Sequence, residues 1–116
     1  MRKTLGNEFL DSKASKFISD FHSATVKEVE EAVKSNKIVV VGMAQNPFCK
    51  KAVKALAEKK MAFKYLEYGG YLSMWKPRLA IKLWSGWPTY PQVFIDGKLL
   101  GGFKELSAWL ASTQSN

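Results

Sequence analysis

The feature that most constrains the fold of this chain is a run of four β-branched residues, Ile38-Val39-Val40-Val41. A run with no polar residue at alternate positions is typical of a strand that is buried on both faces of a sheet. After the loop 42–45, Pro47 suits a first helical turn, because proline has no N–H to lose there. We expect the following amphipathic helix to start at Lys50. Its predicted buried stripe is Ala52, Val53, Leu56 and Ala57.

The other elements are predicted from periodicity and from turn residues. Helices are expected over residues 25–35, 73–85 and 105–111, and strands over 62–68, 92–95 and 98–100. The first of these helices begins with a capping box at Thr25-Val26-Lys27-Glu28. The second tolerates Pro77 in its early part and ends before Gly86. Asp96-Gly97 indicates a tight turn that joins the last two strands into a hairpin.

Between the first strand and its helix lies Asn46-Pro47-Phe48-Cys49, which resembles a Cys-x-x-Cys redox motif whose first sulfur is replaced. From about residue 37 to 110 the chain resembles the glutaredoxins, small thioredoxin-fold proteins that use glutathione. Thr89-Tyr90-Pro91 is similar to that family's Thr-Val-Pro segment, in which the proline is cis. The stretch 101–105, Gly-Gly-Phe-Lys-Glu, is similar to the turn that binds the glutamyl end of glutathione.

The resemblance implies an α/β, thioredoxin-like fold: a four-stranded mixed sheet flanked by helices, with an extra N-terminal helical segment. The element order, β-α-β-α-β-β-α after one or two leading helices, suits that fold. Its first two strands are then parallel and its last two form the hairpin. We expect residues 1–22 to be an N-terminal extension and residues 23–116 to be the glutaredoxin-like domain.

The resemblance also implies a glutathione site, built from ten residues besides the sulfur of Cys49. In it Tyr90 pairs with the cysteinyl backbone of glutathione, and Glu105 meets the glutamyl ammonium. Backbone N–H groups at the start of the last helix suit a carboxylate. The ten residues are Asn46, Phe48, Thr89, Tyr90, Pro91, Gly101, Gly102, Phe103, Lys104 and Glu105.

The chain departs from the family at a position that usually carries a lysine for the glycyl carboxylate of glutathione. That position is Met43 here. Lys50, Lys76 or Arg78 is expected to compensate for the missing lysine.

Cys49 admits two interpretations. A helix N-terminus and the adjacent Lys50 and Lys51 lower a thiol pKa and favour a reactive thiolate, poised for exchange with glutathione. The resolving position that Cys49 takes in the motif is instead the less exposed one, and a buried cysteine is inert. Asn46 likewise either caps the helix or offers its amide to a bound thiol.

The predicted function is that of a glutathione-dependent thiol-disulfide oxidoreductase acting by a monothiol route through Cys49, in electron transfer and cell redox homeostasis. The alternative is a catalytically weak glutathione-binding or partner-docking module on the same scaffold. Its docking surface would then be the aromatic segment near Tyr71 and Trp75.

Glutathione is expected as co-substrate, and glutathionylated or thiol-containing proteins as partners. No metal site and no iron–sulfur cluster is expected, because Asn46 supplies no thiolate. The net charge is +8, but the lysines are spread over several segments, so no nucleic-acid partner is predicted. A monomer with no membrane attachment is expected. The single cysteine favours the cytoplasm.

Overall fold

The computed structural model describes residues 22–70 and 72–114, without the side chains of residues 113 and 114. The predicted N-terminal helical segment therefore lies outside the described residues, as does Tyr71, and the division after residue 22 stays a prediction. The helices are α1 (Ser23–Ser35), α2 (Pro47–Glu58), α3 (Trp75–Ser85) and α4 (Phe103–Gln114). The strands are β1 (Ile38–Gly42), β2 (Lys64–Glu67), β3 (Gln92–Ile95) and β4 (Lys98–Gly101).

The four strands form one mixed sheet in the order β2-β1-β3-β4. β1 runs parallel to β2, with Val40 opposite Tyr65, and antiparallel to β3. β3 and β4 form the predicted hairpin, with an irregularity in their register between Val93 and Phe94. Helices α1 and α3 pack against each other, as do α2 and α4. The predicted thioredoxin-like fold is confirmed.

β1 is buried along its whole length, as its sequence predicts. Val39 and Val41 belong to the apolar cluster beneath α1 and α3, which also contains Ile81. Ile38 and Val40 belong to the cluster beneath α2 and α4. Because alternate residues of a strand point to opposite faces, a run of four β-branched residues supplies both layers of the core.

Several predicted element boundaries are wrong. α2 begins at Pro47 rather than Lys50, because Asn46 caps the first turn. α1 begins at Ser23, so the capping box at Thr25 is not used, and His22 takes the cap position. The second strand is shorter than predicted, and the last helix is longer at both ends.

Helix α3 ends where the sequence predicts. Gly86 follows it in the left-handed conformation, with φ of 77°, and its N–H donates to the carbonyl of Lys82. Only glycine adopts such a φ without steric cost, so the stop is encoded locally. None of the helices in the described ranges is both long enough and apolar enough to cross a membrane.

Candidate functional site

Asn46 caps helix α2. Its Oδ1 accepts hydrogen bonds from the backbone N–H groups of Phe48, at 2.9 Å, and of Cys49, at 3.1 Å. Pro47 stands at the first helical position, where its missing N–H costs nothing. Of the two roles that the sequence left open for Asn46, the structure shows the cap.

Cys49 lies in the interior of the protein, where only 1% of its surface is exposed. A Cβ on Gly42 would stand 2.9 Å from its Sγ, and Tyr65 Oη lies beside the same point. Burial raises the pKa of the Cys49 thiol, and the nearby Glu67 raises it further, against a hydrogen bond from the Met43 backbone that lowers it. Of the two interpretations of Cys49, this direction favours the buried thiol, because loss of solvent is the largest cause of the shift.

The peptide bond between Tyr90 and Pro91 is cis, as the resemblance implied. Gln92, which is fully buried, closes the loop before it by donating from Nε2 to the carbonyl of Trp87 at 3.1 Å. Tyr90 donates its hydroxyl to the carbonyl of Arg78 at 2.6 Å. The loop 86–91 is thus fixed from β3 on one side and from α3 on the other.

The Gly-Gly turn leads directly into α4. The N–H of Gly102 donates to Oε1 of Glu105 at 2.8 Å, so this carboxylate caps the helix. Gly101 has φ of 139°, and a Cβ there would stand 2.6 Å from Cγ of Glu105. Only glycine at position 101 therefore allows Glu105 to fold back onto the turn.

These segments enclose one cleft of about 530 Å³. It lies among the N-terminal turn of α2, the loop 86–91 and the N-terminal turn of α4. Nine of the ten predicted glutathione-site residues line it: Asn46, Phe48, Thr89, Tyr90, Pro91, Gly102, Phe103, Lys104 and Glu105. Gly101 is buried and does not line the cleft, and neither does Cys49.

Four further residues line the cleft: Met43, Lys82, Trp87 and Pro88. Trp87 and Pro88 directly precede Thr89, so their position next to a predicted site residue could have indicated that they line the cleft. Lys82 comes from α3, and no local pattern in the sequence connects it to the site. Its Nζ lies 5.5 Å from the centre of the Tyr90 ring.

None of the three residues expected to replace the missing lysine lines the cleft. Arg78 is buried, and its Nη1 donates to the carbonyls of Tyr68 and Ser73 at 2.8 and 2.5 Å. Lys76 lies over the Trp75 ring, and Lys50 is exposed on α2. The lysines among the described lining residues are Lys82 and Lys104.

Comparison with known proteins relates the chain to one family. The family model for glutaredoxin matches residues 38–100. A "Glutaredoxin-like protein" of Dictyostelium discoideum is 57% identical over 88 residues, which cover 76% of this chain and 72% of the relative. The "Monothiol glutaredoxin-5, mitochondrial" of Schizosaccharomyces pombe is 36% identical over 67% of this chain and 57% of its own length.

Solved structures show the same fold. Oxidised glutaredoxin 2 from Chlamydomonas reinhardtii superposes with a TM-score of 0.66 at 28% identity, over 78% of this chain and 86% of that one. A buckwheat glutaredoxin–glutathione complex superposes with a TM-score of 0.67 at 21% identity, over 79% and 84% of the two chains.

Fold and site define a thioredoxin-like protein with a cleft at the N-terminus of its first crossover helix. With the family model and the relatives, they show that the chain belongs to the glutaredoxin family, whose general function is thiol-disulfide redox chemistry. Within that family it carries Asn46 and Cys49 at the two motif positions.

Proposed function

We propose that this protein binds glutathione in the cleft and acts in glutathione-dependent redox chemistry. The observation that carries the proposal is that three segments far apart in the chain line one cleft, of a size that suits a small ligand. The lining offers groups of the right chemistry for a charged tripeptide: backbone groups at Tyr90, N–H groups at the start of α4, and the cation of Lys82 from α3.

In this proposal the two ends of glutathione meet opposite sides of the cleft. The glutamyl carboxylate accepts from the backbone N–H groups at the start of α4. Glu105, already bonded to the N–H of Gly102, offers its negative charge to the glutamyl ammonium. The glycyl carboxylate lies toward Lys82, and the cysteinyl part lies along Tyr90 beside Asn46.

The position of Cys49 favours the alternative of a catalytically weak glutathione-binding module, because its Sγ is buried and does not line the cleft. Asn46 has its Oδ1 committed to the cap. Its Nδ2 has no partner in the described part of the chain and suits a bound thiolate as a donor. In this form the protein holds glutathione tightly and exchanges thiols slowly.

Thiol exchange by a monothiol route through Cys49 is the second candidate. The observation in its favour is the Met43 backbone hydrogen bond, which partly offsets the rise in the thiol pKa that burial causes and stabilises a thiolate once one forms. That thiolate attacks the glutathionyl sulfur of a mixed disulfide and expels the protein thiolate. A second glutathione thiolate then attacks the new disulfide, restores Cys49 and leaves as oxidised glutathione.

The route needs the first turn of α2 to open, because Sγ must reach the cleft, so we propose that it is slow. We propose no iron–sulfur cluster, since Asn46 provides no thiolate. A monomer in the cytoplasm stays part of the proposal.

The test is calorimetric titration with glutathione, followed by turnover of a small glutathione mixed disulfide. We expect saturable binding that weakens several-fold in Lys82→Gln and is unchanged in Lys98→Gln, whose exposed side chain is on β4 beside the hairpin turn. Absence of binding would overturn the proposed function.

Turnover then distinguishes the monothiol enzyme from the catalytically weak glutathione-binding module. Activity that disappears in Cys49→Ser supports the monothiol enzyme. Binding without turnover supports the catalytically weak module. In that case the Asn46→Cys variant is expected to gain turnover, because it places a thiol on the cleft wall at a helix N-terminus.

A further inference from the structure

Unpaired lysines surround the cleft. Lys82 and Lys104 line it. Lys51 lies on its rim, with Nζ 5.2 Å from the centre of the Phe48 ring, and Lys50 is exposed on the same turn of α2. The ion pairs among the described residues include Lys34–Glu30 and Lys54–Glu58. None of these four lysines has a carboxylate of a described residue within 4.0 Å.

Negative charge is sparse in the same region. Glu67, at the end of β2 near Cys49, accepts a hydrogen bond from the Tyr65 hydroxyl at 2.9 Å. Glu105 is the one carboxylate among the described lining residues, and it is bonded to the N–H of Gly102. Three glutamates lie on α1, which contributes no residue to the lining: Glu28, Glu30 and Glu31. Glutathione, with two carboxylates and one ammonium, carries a net charge of about −1. Its binding leaves most of the positive charge of the rim without a partner.

We propose that the rim, formed by Lys50, Lys51, Lys82 and Lys104, binds the protein half of a glutathionylated partner. This partner is acidic around its modified cysteine, and the inference rests on the proposed glutathione site. Glutathione in the cleft places the partner's sulfur near the start of α2, where Phe48 is 51% exposed beside Lys51. An apolar ring next to an ammonium fits a short segment whose carboxylates flank the modified cysteine. The unpaired lysines then steer and orient that segment.

The chemistry of the rim favours an acidic protein over a nucleic acid. Base-specific nucleic-acid sites commonly use bidentate arginines, and single-strand sites stack successive bases on several aromatic side chains. Arg78 is the one arginine among the described residues, and its Nη1 is bonded to two backbone carbonyls in the interior. Phe48 is the one aromatic side chain of the cleft lining that is exposed.

The test compares two glutathionylated peptides that differ only in flanking charge, one with glutamates and one with lysines around the modified cysteine. Binding is measured by fluorescence anisotropy on a Cys49→Ser background, so that no disulfide exchange occurs. We expect the acidic peptide to bind about tenfold more tightly at low salt, and the difference to shrink as salt rises.

Charge-reversal variants on the same background show where the preference arises. Lys51→Glu is expected to abolish the preference for the acidic peptide. Lys98→Glu makes the same change at the opposite end of the sheet, beside the turn at Asp96-Gly97, and is expected to leave the preference intact.

Equal affinity for both peptides, or a preference that survives Lys51→Glu, would overturn the inference while glutathione binding still stands. A single-stranded oligonucleotide that displaces the acidic peptide at lower concentration would overturn it in favour of a nucleic-acid surface. Failure of glutathione itself to bind would remove the proposed function first, so the two failures are distinguishable.

Discussion

At the scale of residues, the side chain at position 46 has a structural role that is independent of any redox chemistry. Its Oδ1 accepts from two N–H groups that helix geometry leaves without partners. Cys49 contributes one of these groups, so the capping residue also holds the only sulfur of the motif in place.

Removing the cap is expected to destabilise the protein. Asn46→Ala should lower the free energy of unfolding by about 1 kcal/mol, because two N–H groups at the start of α2 lose their acceptor. Asn46→Ser keeps an acceptor on a short side chain and should recover most of the loss. Urea unfolding followed by circular dichroism measures both, and equal losses in the two variants would contradict the capping role.

At the scale of elements, α2 approaches β1 more closely than a side chain at position 42 permits. A Cβ on Gly42 would stand 2.9 Å from Cys49 Sγ and 3.0 Å from Tyr65 Oη. Real carbon atoms do not approach so closely, so the missing side chain is what lets the first turn of α2 dock on the end of the strand.

Gly42→Ala is therefore expected to lower the free energy of unfolding by about 1–3 kcal/mol through overpacking. The loss should be smaller on a Cys49→Ala background, because the nearest clashing atom is then absent. A double-mutant cycle by urea unfolding measures this coupling, with Cys49→Ala alone as the control. Strictly additive effects would show that Sγ is not the atom that resists the new methyl group.

At the scale of the whole molecule, burial raises the pKa of four groups spread through the core: Cys49, Tyr65, Tyr68 and Tyr90. Hydrogen bonds to Glu67 and Glu28 raise the pKa of Tyr65 and Tyr68 further. Each group stays protonated in the folded protein at a pH where the unfolded chain has lost the proton.

The protein should therefore lose stability in alkali. Below the ordinary pKa values, 9.0 for cysteine and 10.0 for tyrosine, these groups are neutral in both states and contribute no pH dependence. Above 9.0 the free energy of unfolding should fall as pH rises, because the unfolded chain binds fewer protons. For Cys49 the slope approaches about 1.4 kcal/mol per pH unit.

Urea unfolding at a series of pH values checks this dependence. Cys49→Ala should flatten the curve between 9.0 and 10.0 and leave the steeper fall above 10.0, where the tyrosines lose protons. A free energy of unfolding that rises across this range would contradict the direction of the four pKa shifts.

The sequence by itself determined those features that depend on neighbours along the chain. The β-branched run made β1 a strand buried on both faces, Asp96-Gly97 made the hairpin, and Gly86 ended α3. Asn46 before Pro47 carried its capping role in its own chemistry. In each case a few consecutive residues fix the backbone geometry, so the feature can be predicted without knowledge of the rest of the fold.

Only the tertiary structure decided what the site contains. Burial of Cys49 depends on Gly42 and Tyr65, which belong to two different strands. Lys82 reaches the cleft from α3, whereas Arg78, one turn earlier on the same helix, is turned inward to the carbonyls of Tyr68 and Ser73. The physical reason is that exposure and electrostatics depend on which elements pack together, and the order β2-β1-β3-β4 sets that packing.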